Sequence, residues 1–155
     1  MVKLDAFSVV GVKEFMSTAN DANLQNIPKM WDAVSEETLG ALQELSDLEP
    51  AGVLGVCGNA HDDGFAYWIA AATTKKCPVG FEKFDIPASE WAVFEVIGAM
   101  PDAIQSAYKQ VFSEWLPKSG YEHANVPDIE WYADGDTCAD DYRSELWLPV
   151  VMSNE

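Results

Sequence analysis

The sequence predicts an α+β domain whose antiparallel sheet is assembled from two β-α-β-β units. Three observations carry this prediction. With 155 residues the chain can bury one good core but is short for two ordinary domains. Short runs rich in Val and aromatic residues, which favour strands, are interleaved with two stretches of helical apolar spacing. The order strand, helix, strand, strand occurs twice, over pseudo-repeats of about 1–78 and 79–155. Two such units would place their main helices on one face of a shared sheet and leave a ligand groove on the other face, where the repeats meet.

The first strand is read over Phe7–Phe15 and is closed by the polar run STANDAN. The first helix follows from Ile27, Trp31 and Val34, with Pro28 in a first-turn position. Leu39, Leu42 and Leu45 continue its apolar face past a break near Ser35. Residues 51–57 and 65–73 flank the turn-rich GNAHDDG and form a hairpin with a longer loop. The second unit opens with a strand at 91–98. Pro101 then starts a helix whose face carries Ile104, Tyr108, Val111, Phe112 and Trp115, and Pro117 and Gly120 stop it. Strands at 128–133 and 142–151 close the unit around an acidic turn. HDDGFAYWIAAA in the first half is echoed by ADDYRSELWLPV in the second, each an acidic turn feeding an aromatic strand.

Composition narrows the function. Nine basic against twenty-six acidic residues give a formal net charge of -17, so the surface as a whole repels phosphate backbones. Lys75 and Lys76 are the only adjacent basic pair. The chain alone is therefore expected not to bind duplex DNA even at low ionic strength; salt-sensitive micromolar affinity in an anisotropy titration would overturn this expectation. Six Trp, five Tyr and seven Phe are more rings than a core of this size needs, and some should line a concave site. No basic stretch leads into a long apolar run and no membrane-spanning segment is read, so the location expected is cytoplasmic. Cys57, Cys77 and Cys138 lack CxxC spacing and are expected as free thiols.

From Val79 onward the marks VGFEKFDIPASEWAVFEVIG, SEWLPKSGYE, PDIEWYADGD and YRSELWLPVV occur in order, while IPKMWDAV and DDGFAYWI match more loosely in the first half. Together they resemble the GyrI-like domain, the effector-binding module of AraC-family regulators and of free-standing proteins. The resemblance implies a duplicated strand-helix-strand-strand fold. It also implies a role among drug and effector sensing, gyrase inhibition and hydrolysis of cyclopropane-bearing electrophiles. No helix-turn-helix pair precedes residue 1, which favours a free-standing binder or enzyme over a complete regulator. Ala70, Ala71 and Ala72 stand where relatives are expected to carry Gly and Glu.

Strand alternation then nominates a site. Ser144, Leu146 and Leu148 suit the helix side, which turns Glu145 and Trp147 toward the groove. The resemblance implies Glu145 as the contact to polar or cationic ligands, with the Trp147 indole stacked on a flat body. Trp68 echoes Trp147; Tyr67 points the opposite way, so only one of the two can face the groove, and Trp68 is preferred. Trp91 shares parity with Val93 and Glu95 on the groove face, and Tyr132, paired in parity with Glu130, is a further candidate. Trp115 is read as core. Cys57, His61, His123 and Cys138 lack zinc-ligand spacing, and the pairs Asp62–Asp63 and Asp140–Asp141 lack the calcium-loop pattern, so neither a metal nor a cofactor is expected. The leading expectation is a protein that captures an aromatic compound, cationic or electrophilic. The alternatives are a hydrolase of strained electrophiles using Glu145, and an acidic inhibitor of a DNA enzyme such as gyrase that meets a protein partner through its charged surface.

Overall fold

In the computed structural model, residues 2–19, 22–48, 51–61, 64–100, 102–124, 126–133 and 135–152 are described. In chain order the elements are β1 (Val2–Leu4), β2 (Phe7–Ser17), α1 (Ala22–Ala33), α2 (Glu36–Leu45), β3 (Val53–His61), β4 (Gly64–Ala72), β5 (Glu82–Ile86), β6 (Ser89–Ile97), α3 (Asp102–Gln110), a π-helical turn (Val111–Trp115), α4 (Leu116–Ser119), β7 (Tyr121–His123), β8 (Asp128–Tyr132) and β9 (Arg143–Met152). None of the described helices is long and apolar enough to cross a membrane.

All the strands join one curled antiparallel sheet in the order β1-β6-β9-β8-β3-β4-β2-β5, with β7 alongside β9. Its centre is the pair β3 and β8, one strand from each repeat. On one side lie β4 and β2, on the other β9 and β6, so the predicted duplication is laid out about the central pair. Register makes the echo in the letters literal. Trp68 sits opposite Val56, Val56 opposite Ile129, and Ile129 opposite Trp147, so the two tryptophans occupy equivalent places at either end of one cross-strand row.

Three short strands go beyond the sequence reading, and two of them are exchanged. β1 precedes β2 in the chain but pairs with β6 of the second repeat, while β5 precedes β6 but pairs with β2 of the first. Each repeat thus covers part of the other's open edge.

Helix boundaries follow local chemistry. The break near Ser35 is an N-cap: its Oγ accepts the Thr38 N–H at 3.1 Å, and Glu36 and Glu37 fill the acidic first turn of α2. α1 begins earlier than Pro28 predicted, so this proline lies inside the helix. α3 passes into the π turn where Ser113 Oγ donates to the Lys109 carbonyl at 2.6 Å and Pro117 has no N–H to offer four residues back. Gly120, at φ 80°, ends α4 in the left-handed conformation, as expected from the sequence. The hairpin strands extend to His61 and Gly64, further into the loop than predicted. Asp62, Asp63 and Pro101 lie outside the described residues.

The sheet's two faces are both apolar. On the helical face Tyr67, Ile69 and Ala71 pack with Met30 of α1 and Leu42 of α2, and Ala92, Leu146 and Leu148 pack with Ile104 of α3 and Val111. The opposite face, inside the curl, is filled by Trp68, Trp91 and Trp147 with Val9, Leu54, Val56 and Ile129. Each fully buried aliphatic side chain there contributes roughly 1.5–3 kcal/mol.

Candidate functional site

The two helical groups cover the two halves of their face and leave the middle open. Over β3 and β8 runs a cleft of about 1410 Å³, walled by Ile27 and Trp31 of α1, Leu39 of α2, and Ile104, Tyr108 and Phe112 of the third helix, with Cys57, Asp128, Glu130 and Tyr132 reaching up from the sheet. Drug-sized ligands occupy pockets of roughly 300–1,000 Å³, so this one is ample.

Glu130 is the chemical centre. It lies mid-strand on β8 and is only 3% exposed. Gly55 is its partner across β3; any side chain there would overlap the Glu130 carboxylate and the Tyr67 hydroxyl, so the glycine makes the space that both occupy. Tyr67 and Tyr132 each donate a hydroxyl hydrogen bond to Glu130 Oε1 at 2.6 Å. Trp31 Nε1–H donates in turn to the Tyr67 oxygen at 2.8 Å, and its ring meets Tyr132 edge to face at 5.2 Å. Tyr108 Oη lies 3.8 Å from Cys57 Sγ, and Cys57 occupies the place in the first repeat that Glu130 holds in the second, one residue beyond the Val56–Ile129 pair.

The electrostatics are one-sided. Burial pushes the Glu130 carboxyl above its ordinary range, opposed by the hydrogen bonds from Tyr132, Tyr67 and Tyr108, while the neighbouring charge of Asp128 raises it further. Burial first, and then the negative charge of Glu130, lift the hydroxyls of Tyr67 and Tyr132 well above the usual phenol value, so both remain donors. Among the described residues that line the cleft there are four carboxylates, Asp32, Asp85, Asp128 and Glu130, no Lys or Arg, and His123, whose pKa is raised by its hydrogen bond to Asp128.

The alternation predicted for each strand is the alternation observed, but the cleft opens on the helical face and not opposite it. The expected groove face is closed by its own indoles. Trp91 is fully buried and meets Trp147 edge to face at 6.4 Å; Trp68 stacks on Phe84 at 5.0 Å with Lys13 over its ring. Glu145 lies on that same face, its charge paired with Arg143 at 3.2 Å and its other oxygen taken by Trp147 Nε1–H at 3.1 Å. Of the six candidates the structure brings Tyr132 to the cleft lining, while Tyr67 is fully buried and reaches Glu130 by its hydroxyl; Glu145, Trp147, Trp68 and Trp91 are held together on the other side. Trp115 packs against Phe94 and Tyr121, as read. Sequence reasoning missed Glu130, Trp31 and Tyr108. A glycine at the centre of the apolar run AGVLGVC was the available signal, since glycine inside a strand marks close approach of another group.

Comparison with known proteins identifies the family and the fold. The family model described as Cass2, integron-associated effector binding protein, matches residues 1–150. The transcriptional regulator BrlR of Pseudomonas aeruginosa is 28% identical over 135 residues, which make up 85% of this chain and 47% of BrlR; the chain spans about half the length of this curated relative. The structure of SAV2435 bound to tetraphenylphosphonium superimposes with a TM-score of 0.84 at 28% identity, over 97% of this chain and 92% of that one. A Staphylococcus aureus MU50 protein superimposes with a TM-score of 0.78 at 29% identity, over 96% and 95% of the two chains. An integron cassette protein of Vibrio cholerae, at 17% identity and a TM-score of 0.66 over 97% and 94%, shares the fold.

Proposed function

Because this chain belongs to the Cass2 family of integron-associated effector-binding proteins, GyrI-like domains that bind small molecules, we propose that its ligand is a lipophilic aromatic cation seated against Glu130. The observation that carries this reading is a carboxylate 3% exposed in a cleft with no Lys or Arg among its described lining residues. A buried charge without an opposite partner is costly, and a cation entering the cleft supplies that partner. Trp31 and Tyr132 line the cleft near the carboxylate, and aromatic faces attract positive charge. The tetraphenylphosphonium bound to SAV2435 is a ligand of this class.

The test is charge discrimination. In a titration followed by tryptophan fluorescence, tetraphenylphosphonium should bind at least about tenfold more tightly than neutral triphenylphosphine oxide, the margin expected of one partly screened ion pair. Equal affinities would sink the proposal. The pH dependence has a definite sign. A carboxyl whose pKa is raised takes up a proton earlier as pH falls, so cation affinity should decline with falling pH, beginning above the ordinary glutamate value of 4.5, and protonation of His123 in the same cleft acts in the same direction.

A further inference from the structure

Resting on the cation reading above, we infer that the cleft contains a second cation subsite at Asp128, and that its tightest ligands carry two positive charges. Asp128 stands two residues before Glu130 on β8, so both side chains rise from the same face of one strand, with Cα atoms about 7 Å apart. Its side chain is only 15% exposed and lines the cleft, where its carboxylate is hydrogen-bonded to the ring of His123, another lining residue.

The two carboxylates have separate aromatic surroundings. Trp31, Tyr67 and Tyr132 serve Glu130. Beside Asp128 the third helix and β7 build a ladder of rings: Tyr108 and Phe112 are stacked with planes 7° apart at 6.3 Å, and Phe112 and His123 at 29° and 5.9 Å. Phe112 is 41% exposed although it forms part of this wall, so a flat ligand laid on it would remove apolar surface from water. The cleft is also larger than a single-headed cation requires. The charge of Asp128 raises the cost of ionising Glu130. A ligand with two positive centres relieves both at once; a ligand with one leaves the second carboxylate to His123.

The experiment compares N-methylquinolinium with a series of two-headed compounds in which two quinolinium rings are joined by methylene linkers of increasing length. In the unaltered protein the best two-headed compound should bind at least about tenfold more tightly than N-methylquinolinium, with an optimum at the linker that sets the charges roughly 7–10 Å apart. Asp128→Asn should abolish that advantage, lowering affinity for the best two-headed compound at least about fivefold more than affinity for N-methylquinolinium. Asp102→Asn, an exposed position on α3 outside the cleft lining, removes the same formal charge and should preserve the advantage. If N-methylquinolinium binds but linker length has no effect, or if Asp128→Asn and Asp102→Asn behave alike, the second subsite is overturned and the Glu130 reading survives. If neither compound binds, the Glu130 reading itself fails, and the second subsite falls with it.

Discussion

Glu130→Gln should lower the affinity for tetraphenylphosphonium by roughly 30- to 150-fold while leaving the fold intact. Two opposite charges about 5 Å apart at a protein-like effective dielectric are worth about 2–3 kcal/mol, which converts to that range. The substitution is nearly isosteric, and the amide oxygen of Gln can still accept the hydroxyls of Tyr67 and Tyr132. Stability should move in the opposite direction from affinity. A carboxyl whose folded pKa is raised contributes stability that is present at acid pH and lost as pH rises through the folded value. Once ionised, Glu130 therefore weakens the empty protein, and Gln removes that burden. Thermal melts at pH 7 should place the variant at or above the parent, and the difference should shrink at acid pH. Glu145→Gln provides the contrast. Its charge is already paired with Arg143 on the far face, so cation affinity should stay within about twofold of the parent. A large loss in Glu145→Gln with none in Glu130→Gln would move the binding carboxylate to the other side of the sheet.

Gly55→Ala should damage the fold and the binding site together. The added carbon overlaps both the Tyr67 hydroxyl and the Glu130 carboxylate, and the central strands cannot separate without breaking the ladder that joins the two repeats. Overpacking a tight core costs typically about 1–3 kcal/mol, which a denaturant midpoint resolves easily. The same displacement should carry Glu130 out of its seat and cost at least about tenfold in cation affinity. Gly40→Ala is the control. No atom lies near the added methyl on α2, and alanine is the better helix former, so this variant should gain up to about 1 kcal/mol. Gly55→Ala melting and binding like the parent would show that the close approach at β3 is not needed.

The difference between the two carboxylates also shows what was legible in the letters. Alternation in YRSELWLPVV correctly placed Leu146 and Leu148 under a helix and turned Glu145 and Trp147 the other way. The same arithmetic put Trp68 and Tyr67 on opposite faces, and the repeated acidic turn disclosed the duplication that the Trp68–Val56–Ile129–Trp147 row makes physical. Period-two patterning cannot report how much of a face its helices cover. With the two helical groups set apart over the sheet, the gap falls between them, above a strand, DIEWY, that turns Asp128, Glu130 and Tyr132 to one side and Ile129 and Trp131 to the other. The inside of the curl, which offered the larger number of tryptophans, spends them on closing itself. The exchanged strands were unreadable for a different reason. β1 has three residues and β5 five, and their partners are set by the edge of the other repeat and not by a neighbouring turn.

That exchange governs how the chain reaches its native state and how it resists cutting. Val2 must find Trp91, and Phe7 must find Ile86, across a full repeat's length or more of intervening chain. Contacts of such separation close late and give slow, topology-limited folding. Once closed, they act as a clasp. The connection between β4 and β5 carries the exposed Lys75 and Lys76, where trypsin can cut without touching a strand. A chain nicked there would keep β1 locked into the carboxy-terminal fragment and β5 into the amino-terminal one, while β3 and β8 stay paired at the centre. The two pieces should elute together from a sizing column and part only in denaturant, because neither fragment owns a complete sheet.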